Sequence, residues 1–283
     1  MKHTTAIKHA QNKPDAGWFA RLRANPKAMA LAVSSLVVLV VAIAVLGYML
    51  WVYLLDRSAA ERMAALEEPS TVVQTENGDG GKRKSTPVID FQSLQMQNPE
   101  IYAWLYVPGT GVNLPLVQHT GGSDDYYLNH DAYGGYSPLG AAFSDGANSS
   151  SFTDPVTVVY GHDVASVFKN LHDFEDSAFF DAHDKMYVYL PNGKLLTYSV
   201  VSAYRSDDSY ILGNDLSSEQ GRQAYYDQVL DPADTEYRQV REGVSLGPDD
   251  RLLQLSTCML NEFHGSHRYI VTGVLTSEQQ QVE

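Results

Sequence analysis

The sequence predicts a mostly β domain with a few helices, folded as a barrel or a sandwich and preceded by a single N-terminal transmembrane helix. Short apolar segments rich in β-branched and aromatic residues recur after about residue 100, separated by Gly, Pro and Asp. This spacing is typical of strands joined by turns. Near the N-terminus, residues 28–55 contain no charged residue, which is typical of a membrane-spanning helix.

The apolar segment is long enough to span a bilayer. At 1.5 Å per residue, residues 28–55 form about 42 Å of helix, and the bilayer core needs only about 30 Å. The apolar region of a cleaved signal peptide is about 7–15 residues long, so an uncleaved anchor is predicted. The preceding residues are rich in Lys and Arg, which favours a cytoplasmic N-terminus and an extracellular remainder.

Four regions follow from this pattern. Residues 1–27 are a cytoplasmic basic tail, 28–55 the transmembrane helix, 56–87 a stalk and linker, and 88–283 the extracellular folded domain. Within the linker, Asp56 to Glu68 predict a short charged helix, which Pro69 ends. The Gly-rich stretch that follows, with its basic triplet Lys82-Arg83-Lys84, is typical of a flexible tether.

The elements of the domain can be assigned in order. Residues 91–96 predict a short helix that stops before Asn98-Pro99. Asn192-Gly193 lies between two β-type runs, a strong hairpin signal. Helices are predicted over residues 166–175 and 217–230, and Ser217-Ser218 can cap the second. The predicted strands cover residues 104–107, 112–117, 141–143, 156–160, 186–190, 195–203, 252–258 and 269–275.

Charge and cysteine content limit the possible functions. The formal net charge is −14, and residues 1–55 carry six Lys or Arg but only one acidic residue, so the predicted domain is more acidic still. This charge argues against nucleic-acid binding and against adsorption of the domain to an anionic membrane. Cys258 is the only cysteine, so no intramolecular disulfide can form. A lone cysteine in an exported protein is either a reactive thiol or an inert buried side chain, and composition favours neither.

Three polar residues lie at the ends of predicted strands. Cys258 ends one apolar run, Arg268 directly precedes the next, and His162 follows the run Val156–Tyr160. If these strands are neighbours, thiol, guanidinium and imidazole meet at one rim of the sheet, as thiol acyl transfer requires. Taken singly, each residue has an ordinary interpretation, for example a solvated histidine or an exposed arginine. Asp163 adjoins His162 but should point to the opposite face. His264 and His267 lack a convergent carboxylate, so a loop is favoured over a metal site.

Together these motifs resemble the sortase family of surface transpeptidases. The resemblance rests on Leu255-Ser256-Thr257-Cys258, on Arg268, and on Tyr160-Gly161-His162-Asp163 upstream, and it covers roughly residues 90–276. It implies an eight-stranded sortase β-barrel. The predicted helix at 217–230, together with the short N-terminal helix, resembles the class B subgroup.

The resemblance also implies a site and partners. Cys258 would be the nucleophile, and His162 would hold the thiolate as imidazolium and then act as general acid. Arg268 would donate to the developing oxyanion or orient the substrate backbone. Substrate would be bound by Ser256, Thr257, Tyr210 and Ile211, with no metal or organic cofactor. The enzyme, on a Gram-positive cell, would cleave a C-terminal sorting signal of exported proteins and transfer the acyl group to an amine of the cell wall or a pilin. A plain cysteine endopeptidase and a catalytically silent surface-assembly scaffold remain alternatives.

Overall fold

The structure, a computed structural model, describes residues 17, 25–64, 89–121, 125–259 and 265–280. Three sequence predictions lie outside these residues: most of the basic tail, the flexible tether with its basic triplet, and the loop residues 260–264, which include His264. The chain divides into two compact units, residues 1–51 and 52–283.

The first unit contains most of a long helix. Helix α1 runs from Pro26 to Ala64 without interruption, so it includes the predicted transmembrane segment and the start of the predicted charged helix. By its length and composition, the segment Pro26–Arg62 of this helix could cross a membrane. Large apolar side chains along it, such as Leu36 and Ile43, are exposed, as expected of a helix without an amphipathic stripe.

The second unit contains a closed β-barrel, as predicted. Eight strands pair in the cyclic order β5-β1-β2-β3-β4-β8-β9-β6, and a β5–β6 pairing closes the ring. A ninth strand, β7, adds to one end of β6. The strands are β1 (Ile101–Val107), β2 (Val112–Val117), β3 (Ala142–Ser144), β4 (Val156–Tyr160), β5 (Lys185–Tyr189), β6 (Lys194–Asp207), β7 (Arg238–Val240), β8 (Leu252–Cys258) and β9 (His267–Gln280).

The barrel contains both parallel and antiparallel strand pairs. Strands β2 and β3 run parallel, as do β4 and β8, while the other pairs are antiparallel. The predicted Asn192-Gly193 turn connects β5 to β6, with Gly193 at φ 78°. Such a left-handed conformation suits glycine, which has no Cβ to clash.

Side chains of the central strands alternate between two apolar clusters. The barrel interior receives Val159, Leu253, Leu255 and Tyr269. The opposite face receives Val156, Val158, Leu252 and Ile270, which pack against Tyr225 and Tyr226 of helix α4 (Glu219–Leu230). Because successive side chains of a strand point to opposite faces, the even-numbered residues of β4, β8 and β9 face one cluster and the odd-numbered residues face the other. This alternation is called parity below.

The helices agree with the predictions in part. Helix α2 (Phe91–Gln97) is capped by Asp90, and α4 is capped by Ser218, whose side chain accepts from the Gly221 amide. The segment predicted as a helix over 166–175 is instead a 3₁₀ helix, Lys169–Glu175. Helix α3 (Ser177–Ala182) and strand β7 were not predicted, because each is too short to show a period.

Candidate active site

Cys258 and Arg268 form a cross-strand pair. Cys258 is the last residue of β8, and its Cα partner in the antiparallel β9 is Arg268. The two residues are separated in sequence only by the connection between these strands, so the hairpin itself places them together. Directly opposed residues of an antiparallel pair have Cβ atoms about 4.5–5.5 Å apart.

His162 reaches the same strand end from the other side. Strands β4 and β8 run parallel, with Tyr160 opposite Ser256. The ladder continues past β4, because the Gly161 amide donates to the Ser256 carbonyl at 3.1 Å. Extending this register by two residues brings His162 level with Cys258. Both residues are half-buried, as is Arg268.

Strand parity puts all three residues on one face. Val156, Val158, Leu252 and Ile270 lie in the apolar cluster that packs against α4. His162, Cys258 and Arg268 are each an even number of residues away from one of these along the same strand direction, so strand alternation assigns them to the same face. Asp163 has the opposite parity, so it falls on the interior side, as the sequence predicts. Its Oδ1 atom is buried without a hydrogen-bond partner among the described residues, and burial raises the pKa of its carboxyl group.

The His162 ring is held by a backbone carbonyl. Its Nε2 lies 2.7 Å from the carbonyl oxygen of Leu128, the last residue of the 3₁₀ helix Tyr126–Leu128. Two glycines make room for this arrangement. A Cβ at Gly161 would lie 2.5 Å from a ring carbon of Phe168, and one at Gly140 would lie 2.9 Å from His162 Cδ2.

A partly buried carboxylate anchors the 3₁₀ helix that carries Leu128. Glu100 accepts hydrogen bonds from the Tyr127 hydroxyl at 2.6 Å and the Thr120 amide at 2.8 Å, and it lies 3.1 Å from His119 Nδ1. Burial alone would raise the pKa of Glu100, but these hydrogen bonds favour the ionised form and lower its pKa to about 2. The Leu128 carbonyl, which is the seat of the His162 ring, is therefore held in place by residues outside β4, β8 and β9.

The Arg268 guanidinium is oriented by backbone oxygens. Its Nη1 donates to the carbonyls of Gly265 and His267 at 3.0 and 2.9 Å. Within the described part of the chain it has no carboxylate partner. Because a guanidinium has five N–H donors, most of them remain for an anionic or carbonyl oxygen near Cys258.

The residues predicted to bind substrate are distributed unevenly. Tyr210 is 55% exposed, and its hydroxyl donates to Asp145 at 3.2 Å. Ile211 is buried in the α4 cluster. Both follow β6 shortly after Ser206, the β6 partner of Arg268. Ser256 shares the face of Cys258 but is buried, and Thr257 is buried with the parity of the interior.

One nearby pair was missed by the sequence analysis. His172, in the 3₁₀ helix Lys169–Glu175, lies 2.9 Å from the Cys258 carbonyl oxygen through Nε2 and 2.6 Å from Glu175 through Nδ1. A histidine three residues before a glutamate was the only available signal. That signal gives no indication of a contact with a strand 86 residues away.

Comparison with known proteins matches the geometry. The Sortase domain family profile matches residues 105–276. Sortase B of Staphylococcus aureus is 27% identical over 227 residues, covering 78% of this chain and 87% of the relative. Sortase B of Listeria monocytogenes is 25% identical over 194 residues, covering 67% and 75%.

Solved structures agree. A mutant of Clostridium perfringens sortase B superposes with a TM-score of 0.59 at 26% identity, covering 66% of this chain and 86% of that one. A Streptococcus pyogenes class B sortase involved in pilus biogenesis superposes with a TM-score of 0.56 at 27% identity, covering 66% and 98%. The chain therefore belongs to the sortase family, whose members are cysteine transpeptidases, and its relatives place it in class B.

Proposed function

We propose that this sortase cleaves a C-terminal sorting signal of exported proteins through a thioester on Cys258. The observation that carries the proposal is the convergence of three strand ends. Cys258 and Arg268 are cross-strand partners, and His162 follows β4, which pairs with β8 as far as Tyr160 and Ser256. A thiol, an imidazole and a guanidinium at one rim are the groups that acyl transfer through a cysteine requires.

Each group has one role. The ionised sulfur of Cys258 bonds to the carbonyl carbon of the scissile peptide, and Arg268 donates to the oxygen as it becomes negative. When the tetrahedral intermediate collapses, the C–N bond breaks and His162 protonates the departing amine. A second amine then attacks the thioester and gives a proton to His162, which is now neutral, and the new amide forms as the Cys258 thiolate leaves.

Substrate recognition falls to the segment before α4. Tyr210 is exposed and Ile211 is buried. In this proposal they form an apolar wall against the sorting peptide, and Ser256 and Thr257 line the strand beside the thiol. A Staphylococcus aureus sortase B has been solved with its substrate, and the Streptococcus pyogenes relative takes part in pilus biogenesis. The acceptor here is correspondingly an amine of the cell wall or of a pilin.

Helix α1 anchors the enzyme. Its apolar residues fit a single membrane span, and the basic residues that precede it in the sequence stay on the cytoplasmic side. The barrel therefore faces the cell exterior on a Gram-positive cell, where newly exported proteins and wall precursors meet. Residues 1–27, 28–55, 56–87 and 88–283 act as tail, anchor, stalk and catalytic domain.

Product analysis tests the proposal. The substrate is a fluorogenic peptide carrying the threonine-bearing motif of an exported protein encoded beside this gene, incubated with the full-length enzyme with and without an added amine. A transpeptidase converts the acyl fragment to the amide when the amine is present. An endopeptidase yields the free acid in both cases, and that outcome would refute amine transfer.

The scaffold alternative is tested separately. A thiol-directed probe should label the wild type at Cys258 and should leave the Cys258→Ala variant unlabelled. An unreactive Cys258 in the folded wild type would favour a surface-assembly scaffold over an enzyme.

A further inference from the structure

A buried imidazole lies beneath the nucleophilic strand end. The His172 side chain is 4% exposed, and its Nε2 lies 2.9 Å from the Cys258 carbonyl oxygen. Its Nδ1 lies 2.6 Å from Glu175 Oε1. The ring stacks on that of Tyr269 with centroids 4.8 Å apart. His172 therefore contacts the backbone of β8 at Cys258 and the aromatic ring of Tyr269 on β9.

Both partners of His172 are acceptors. A carbonyl oxygen cannot donate, and an ionised carboxylate cannot donate either. With Glu175 ionised, both short contacts are hydrogen bonds at once when each ring nitrogen carries a hydrogen. Such charge-assisted bonds are about twice as strong as neutral ones.

We propose that His172, held by Glu175, is a positioning residue that fixes the peptide group between Cys258 and Met259. The proposal rests on the proposed role of Cys258 as nucleophile. Because a peptide unit is planar, holding its oxygen fixes the rotation of the whole plane and therefore ψ of Cys258. Side-chain rotamers depend on backbone φ and ψ, so the direction of the thiol is fixed with it.

The location makes this restraint necessary. Cys258 is the last residue of β8, so the regular sheet ladder ends at the residue that must be held most accurately. His172 approaches from the interior side, where Tyr269 lies, and the thiol is on the opposite face by parity. His172 therefore orients the nucleophile without occupying the substrate side.

Other charged groups face the same imidazole. Asp163 follows β4, and Lys169 and Asp173 lie on the same 3₁₀ helix as His172. The pKa of Asp163 is raised by burial and lowered by His172. Neither Asp163 nor Asp173 replaces Glu175, which alone among these acids has a hydrogen bond to the ring.

The lone cysteine permits a direct test in the full-length chain. Cysteine labelled with ¹³C at its carbonyl gives one signal, because Cys258 is the only cysteine. In detergent micelles, His172→Phe, which retains an aromatic ring over Tyr269, and His172→Asn, which is too short to reach the carbonyl, should both move the signal upfield. His172→Gln places an amide nitrogen near the position of Nε2 and should leave the signal close to that of the wild type.

Kinetics on the sorting peptide should follow the same order. We expect His172→Phe and His172→Asn to lower kcat by about tenfold or more with KM within about twofold. His172→Gln should retain at least about a third of kcat. The control is His183→Gln, because His183, the C-cap residue of α3, also contacts a backbone carbonyl, that of Phe179 at 2.9 Å in the same helix. It should change neither the signal nor kcat.

The outcomes separate the possibilities. An unmoved signal and unchanged kcat in His172→Phe and His172→Asn would overturn the proposal. The proposal would also be overturned if all three variants lost the same share of kcat, in proportion to the fraction of unfolded protein. If His172→Phe does not fold, the Asn and Gln variants carry the comparison. The carbonyl signal needs no substrate, so failure of the proposed function, seen as turnover by Cys258→Ala, is distinguishable from failure of this inference.

Discussion

Gly140 is where a single methyl group should damage the site most selectively. The residue has φ 63°, and a Cβ there would lie 2.6 Å from the Tyr127 carbonyl oxygen and 3.0 Å from that of Leu128. It would also lie 2.9 Å from Cδ2 of His162. Two of these neighbours are backbone atoms, which cannot rotate away. Gly140→Ala should therefore displace the Leu128 carbonyl that holds His162.

Gly134 provides a matched control. It has φ 82°, but a Cβ there would meet nothing within 4 Å. Both alanine variants incur the left-handed backbone cost of about 1–2 kcal/mol. Only Gly140→Ala adds overpacking, typically about 1–3 kcal/mol. Since about 1 kcal/mol shifts Tm by roughly 2–4 °C in a domain of this size, Gly140→Ala should unfold roughly 2–12 °C below Gly134→Ala.

Activity should separate the two variants more clearly than stability. A positioned general acid contributes about 10²- to 10⁴-fold, so a displaced His162 should lower the turnover of the sorting peptide by at least about tenfold, at a temperature where both variants are folded. Gly134→Ala should turn over at close to the wild-type rate. Equal stability and equal turnover of the two variants would refute the assignment of Gly140 and Leu128 as the seat of His162.

Three further outcomes are expected. Arg268→Lys should lower turnover by at least about tenfold, because a flexible ammonium replaces the planar fork of donors. Iodoacetamide should still alkylate Cys258 near the wild-type rate. Wild-type turnover in this variant would remove Arg268 from the site. The pKa of Glu100 lies at about 2, below its ordinary 4.5, so its contribution to stability is complete above about pH 4.5 and is lost as pH falls toward 2. In urea unfolding, the advantage of the wild type over Glu100→Gln should shrink across that window, and a constant difference would contradict this. Protease added to intact protoplasts should remove the mass after about Asp56, and a protected domain would reverse the proposed topology.

The barrel could be predicted largely from local signals. Strand β8 begins with a leucine-rich segment broken only by Gln254, Asn192-Gly193 fixes one hairpin, and Ser218 marks the start of α4. Closure of the ring could not be derived from these signals. It depends on β5 pairing with both β1 and β6 and on parallel pairs between distant strands, which the family resemblance supplied. The helical segment predicted over 166–175 is a 3₁₀ helix that begins only after Phe168, and the sequence pattern did not distinguish this type of helix.

The site was predictable where it depends on strand ends. Cys258, Arg268 and His162 each adjoin an apolar run, and neighbouring strands suffice to bring them to one rim. The supporting contacts were not predictable. The bond from His162 to Leu128 joins residues 34 apart, and that from His172 to Cys258 joins residues 86 apart. Such distances in sequence leave no periodic signal, so the residues that orient the site emerge only from the fold.

The central claim is that the acyl group passes through the Cys258 sulfur. The most direct measurement is the intact mass of the full-length enzyme, quenched in acid during turnover of the sorting peptide. The wild type should gain the mass of the N-terminal peptide fragment as a thioester that hydroxylamine removes, and Cys258→Ala should gain nothing and turn over no peptide. Turnover by Cys258→Ala, or an adduct that survives in it, would contradict the account.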